Sequence, residues 1–283
     1  MAQEGILTDF DSFRFSYESN LLKRIESKYG PVPLRDYAEA QNLLESRRRN
    51  LLGDAVEITQ DLLPEVHGAY GQCLDLIGGG IGLKGRLFVQ QSSEYNASVF
   101  ASSDRFDVLI HSSLLNDFDI GRLKFVFGHE LGHVVFGHSR FPVNDILANI
   151  NGIPQDAAEM LLRWSRATEI SADRIGMLCC GNLGNAACAL FQTSSGLKEI
   201  DENRILRSFR KQYSDLEYHI KNVGTDNRYF RTHPMIPIRF KALELGSLDI
   251  IALRRQAAGF SWKGFQHIDR QIAFLLESLD IRG

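Results

Sequence analysis

Three residues in the segment FVFGHELGHVVFGH have the types and spacing to do chemistry: His129, Glu130 and His133. Side chains four apart on a helix lie one above the other, so the two imidazoles project from one face and can grip a single cation. Zinc is the cation that such a pair suits, with nitrogen ligands and an open position for a water. Glu130 follows the first imidazole directly and reaches a water at the same place, where a carboxylate serves as general base. The helix around them is apolar on nearly every side, through Phe125, Val126, Phe127, Leu131, Val134, Val135 and Phe136. A helix of that kind is buried, and buried polar groups need partners.

A hydrolytic zinc site needs a third protein ligand. Two candidates stand downstream. His138 is nine residues after His129, one short of the spacing in the longer three-histidine pattern, and its other reading is a cation capping the helix C-terminus. Glu169, in ATEISADRIGML, is the better candidate. Asp173 follows it by four residues and shares its helix face, where it can accept the second N–H of a ligand histidine and fix the ring's tautomer.

The elements that must position these groups follow from periodicity. Helices are predicted at 17–29, 35–67, 120–138, 155–180, 184–194, 201–222, 236–245 and 248–281, with Asp119 as N-cap of the HELGH helix. Strands are predicted at Arg86–Gln91, Asn96–Ala101 and Phe106–His111, in their simplest arrangement an antiparallel meander. The class is α+β, mainly helical, with a small antiparallel sheet beside the active-site helix. Three regions are expected: an N-terminal helical region at 1–75, a catalytic core at 76–245 and a C-terminal helical extension at 246–283.

Composition narrows the functions available. The 283 residues are 44% apolar and 24% charged, which is ordinary for a folded protein. The net charge of −3 gives no reason to expect a nucleic-acid partner. Gly80, Gly82 and Gly85 spell the dinucleotide-binding glycine pattern, but the residues after them, RLFVQQ, form a strand where that motif needs a helix, so the glycines read as a loop. The four cysteines form no C-x-x-C pair and read as reduced buried thiols. The N-terminus resembles no export signal, and the uncharged stretch Ile175–Leu197 is broken by GNLGN, so a cytoplasmic protein without an integral membrane segment is expected.

HELGH, the downstream EISAD and the later THP together resemble the zinc endopeptidases that include HtpX and the CAAX prenyl endopeptidases. The resemblance runs from about Arg86 to Leu245, roughly half the chain. It also takes in YNASVF (Tyr95–Phe100), IHSSLL (Ile110–Leu115) and THPMIPIR (Thr232–Arg239). It implies a gluzincin, zincin-like core with one Zn2+ held by His129, His133 and Glu169, and Glu130 as base. It implies that Asn96, Ala97, Ser98, Val99 and Phe100 form the strand on which a peptide or unfolded-protein substrate lies. His233 would approach the site and help hold the oxyanion, and Arg239 would pair with a buried carboxylate. Many members of that family are membrane proteins or carry export signals, whereas this chain is read as neither.

Two other readings compete. A zinc amidase of deformylase type would take Cys73 as a ligand, although such enzymes carry Asp where this chain has Gly132. A metal-holding module that captures extended peptides without cutting them would have no use for an intact general base.

Overall fold

The computed structural model describes residues 10–29, 46, 49–77, 84–101, 105–149, 153–198, 200–222, 236–255 and 264–280. Its helices are α1 (Phe10–Phe13), α2 (Ser16–Tyr29), α3 (Pro64–Ile77), α4 (Ser112–Asp117), α5 (Ile120–Val135), α6 (Val143–Asn149), α7 (Gln155–Cys180), α8 (Leu183–Ser195), α9 (Glu202–Asn222), α10 (Ile236–Arg254) and α11 (Gln266–Asp280). A short sheet of β1 (Val56–Glu57), β2 (Lys84–Gln90), β3 (Ala97–Ala101) and β4 (Arg105–His111) lies beside them. The mainly helical α+β class is as expected.

The sheet is mixed rather than an antiparallel meander. Its order is β1-β2-β4-β3, with β2 parallel to β4 and β3 antiparallel to β4. The reason lies in β4, where Phe106–Ile110 is buried without interruption. A strand covered on both faces belongs in the middle of a sheet, so β2 and β3 flank it and the chain crosses over between them. Arg86 stands opposite Asp107 in this register, and its Nε donates to the buried carboxylate at 3.0 Å. Gly85 lies under the Phe106 ring, where a Cβ would collide with it. Gly80 and Gly82 lie outside the described residues.

Helix α5 starts where Asp119 caps it, the side chain accepting from the Arg122 backbone N–H at 2.9 Å. It ends at Val135, three residues before the predicted end. Gly137 takes a left-handed conformation (φ 66°) and donates to the Val134 carbonyl, which closes the helix. The chain then tightens into a 3-10 turn at His138–Arg140.

Helix α7 spans the predicted residues and is buried along most of its length from Leu161 to Cys179. It lies against α5 at backbone distance. A Cβ on Gly128 would stand 2.8 Å from the Gly176 Cα, and one on Gly176 would stand 2.8 Å from the Phe125 carbonyl oxygen. Small residues at these crossings let two helices approach closely enough to share one site. Helices α1 and α11 meet α7 as well. Phe13 meets Phe265 edge-on, and the Arg174 guanidinium donates to Asp269 and to the Phe13 carbonyl.

Candidate metal centre

The site forms where α5 crosses α7 beside the first turn of α10. His129 and His133 present their Nε2 atoms to each other at 3.2 Å. Glu169, reaching over from α7, places Oε2 3.5 Å from His129 Nε2 and Oε1 3.5 Å from His133 Nε2. One ligand atom from each residue lies within 4.8 Å of the others, and among the described residues no other such group of three forms. Two nitrogen lone pairs and a carboxylate aimed at one point repel one another unless a cation stands between them. This donor set therefore fits a divalent metal.

Each imidazole has a different neighbour behind it. His129 Nδ1 lies 2.9 Å from Asp173 Oδ1. Arg239, from α10, donates to both Asp173 oxygens at 2.7 and 2.6 Å, and its Nη1 lies 3.2 Å from Glu169 Oε2. Arg239 thus pairs with a buried carboxylate, and Asp173 stands behind the His129 ring. Burial pushes the Asp173 carboxyl up, but the Arg239 charge and hydrogen bonds, with His129, outweigh it and hold the group below the usual carboxylate range. Burial works against the Arg239 charge too, and Asp173 and Glu169 more than offset it. Burial and the neighbouring His129 push His133 well below the usual imidazole range, which leaves it neutral as a ligand must be.

His138 departs from both of its expected roles. It caps no helix end and is not in the converging group. Its Nδ1 lies 2.8 Å from His133 Nδ1, and its Nε2 lies 3.3 Å from Glu18 Oε1. Glu18 on α2 is fully buried, and its other oxygen accepts from Ser171 Oγ at 2.5 Å. Sequence reasoning missed Glu18 altogether, because no spacing rule links α2 to the HELGH helix.

A cleft of about 410 Å³ opens over the converging group. Glu130 lines it and is 7% exposed. Asn96 lines the same cleft just before β3, and Ala97, Ser98, Val99 and Phe100 line it from β3, which is an edge strand of the sheet. His233 and the THP segment lie outside the described residues. Cys73 is elsewhere: its Sγ donates to the Lys124 carbonyl at 3.8 Å, and it is not among the converging ligand atoms, so the structure lends the deformylase-like ligand set no support.

Peptidase family M48 matches residues 79–158 and 145–245, together more than half of the chain. The protein therefore belongs to peptidase family M48, a family of metallopeptidases, and the resemblance read from its three motifs holds. It is 24% identical over 260 residues to the plastoglobule-localized metallopeptidase 48, chloroplastic, of Arabidopsis thaliana, an alignment covering 83% of this chain and 72% of that protein. No helix among the described residues is long and apolar enough to cross a membrane.

Proposed function

We propose that this metallopeptidase is a zinc endopeptidase that cuts extended or unfolded polypeptides, with His129, His133 and Glu169 holding one Zn2+ and Glu130 acting as general base. The observation that carries this reading is the convergence of two imidazole Nε2 atoms and one carboxylate at the floor of a cleft that Glu130 also lines. Bound there, zinc would supply Lewis acidity, lowering the pKa of a coordinated water toward ~7 and polarising a carbonyl.

The protein's own groups do the rest. The Glu130 carboxylate takes the proton of the attacking water and later returns it to the departing amide nitrogen. Asp173 holds the Nδ1 proton of His129, which keeps the Nε2 lone pair turned to the cation. Arg239 holds Asp173 and Glu169 in place. The free edge of β3 offers main-chain donors and acceptors, so an extended peptide adds to it as a further strand across Asn96–Phe100. His233 is assigned to the oxyanion from the THP motif.

The test is cleavage of unfolded casein with and without chelator, by the wild type and by Glu130→Gln. The wild type should cut and chelator should stop it. Glu130→Gln should keep its zinc and lose turnover. Unchanged turnover would remove Glu130 from the mechanism, and a zinc-loaded wild type that binds casein without cutting it would favour the peptide-binding module.

A further inference from the structure

We infer that Glu18, in a part of the chain that precedes the matched peptidase stretch, is a positioning residue for His133 and acts on it through His138. The inference rests on reading His133 as a metal ligand.

His133 turns Nε2 toward His129 and Glu169, so its Nδ1 is the nitrogen that meets His138 Nδ1 at 2.8 Å. Two nitrogens at that distance share one proton, and one of them must accept. A ligand needs a bare Nε2, so neutral His133 carries its proton on Nδ1 and donates. His138 then accepts at Nδ1 and carries its own proton on Nε2. That N–H points into a buried place whose nearest anionic acceptor is Glu18 Oε1, 3.3 Å away. Neither of these two atoms has another hydrogen bond of good geometry, so a small turn of the His138 ring satisfies both at once.

The carboxylate at the end of this relay is itself held. Ser171 Oγ donates to its second oxygen and in turn accepts from the Phe15 backbone N–H at 2.9 Å. Arg14 Nη1 stands 3.8 Å from Oε1, and Arg14 Nη2 donates to the Phe136 carbonyl at 2.7 Å, at the close of the ligand helix. The two imidazoles are thus backed by matching devices: His129 by Asp173 with Arg239, and His133 by His138 with Glu18 and Arg14. The first lies inside the matched peptidase stretch, whereas the second draws its carboxylate from an N-terminal helix that must dock for the site to be complete.

A carboxylate that merely anchored α2 would affect stability and nothing else, so the test reads zinc affinity. Kd is measured by competition with a chromophoric chelator for the wild type, Glu18→Ala, Glu18→Gln, His138→Ala and the double alanine variant, with circular dichroism to verify folding. Glu18→Ala should bind zinc about 10–100-fold more weakly. Glu18→Gln keeps an acceptor oxygen and should recover most of the affinity. The double variant should be no worse than His138→Ala, because one relay is broken only once. If Glu18→Ala does not fold, Ser171→Ala, which loosens the same carboxylate, should show a smaller loss in the same direction. Wild-type zinc affinity in a folded Glu18→Ala, or losses that add in the double variant, would overturn the inference. A wild type that binds no zinc would instead sink the ligand assignment beneath it.

Discussion

Gly132 sits against Ala172 so closely that a Cβ on it would stand 2.8 Å from the Ala172 Cα and 3.1 Å from its carbonyl oxygen. The glycine inside HELGH is therefore a packing requirement, because only backbone-to-backbone contact at this level lets Glu169 of α7 reach both imidazoles of α5. The contact atoms are main chain and cannot swing aside. Gly132→Ala should destabilise the fold by about 1–3 kcal/mol, the usual cost of overpacking, and weaken metal binding as the helices part. Denaturant unfolding together with a zinc titration checks both. A variant of wild-type stability would show that the crossing is looser than described.

Asp173 and Arg239 make a second expectation. Asp173→Asn keeps the shape but offers an amide where His129 Nδ1 meets an anion, and zinc affinity should fall about 10–100-fold. Arg239→Met removes the cation shared by Asp173 and Glu169, both buried, and should cost about 3–5 kcal/mol of stability in the metal-free protein. Bound zinc should recover part of that loss by neutralising Glu169. An Arg239→Met variant as stable as the wild type without metal would contradict the network.

Glu18 gives a dependence on pH. Burial pushes its carboxyl up, but His138, Arg14 and Ser171 outweigh burial and hold it below its ordinary value of 4.5. A depressed carboxyl stabilises the fold above its unfolded pKa, and that contribution disappears as pH falls through the lower, folded value. The stability gap between wild type and Glu18→Gln, measured by urea unfolding in chelator, should hold steady above about pH 5 and close progressively below 4.5. A gap that widens on acidification would show that the group is not an ionised partner of His138.

The thiols should be unreactive in the native state. A hydrogen bond with Cys73, together with burial, pushes Cys179 well up, and burial pushes Cys180 up to about 11. Thiolate is the nucleophile, so little is present at pH 8. Cys73, Cys179 and Cys188 are also shut off from solvent. Iodoacetamide at pH 8 should label the folded protein slowly and all four cysteines rapidly in denaturant. Fast native labelling of Cys73 would show that α3 opens from the core.

The centre of the fold was legible in the residues because its signals are local. The 3.6-residue pattern bounded α7, Asp119 marked the start of α5, and the four-residue spacings placed His129 with His133 and Glu169 with Asp173. Where reading failed, the determinant was not local. Alternation identifies a strand but not its neighbours, so it leaves the parallel β2–β4 pair unread, although the apolar run Val108–Ile110 hints that β4 is central. The end of α5 was readable in principle, since Gly137 is the natural left-handed stop, yet the apolar pattern ran through it to His138. Glu18 had no signal at all. A lone carboxylate on an amphipathic helix looks like a solvated one until the tertiary fold buries it against His138.

The central claim is that His129, His133 and Glu169 together hold one zinc ion. The most direct measurement is the zinc content and dissociation constant of the purified wild type beside a Glu169→Ala variant verified as folded. One tightly held zinc per wild-type chain is expected, and little or none in Glu169→Ala at zinc concentrations that saturate the wild type. A full equivalent of zinc bound to Glu169→Ala with wild-type affinity would contradict it.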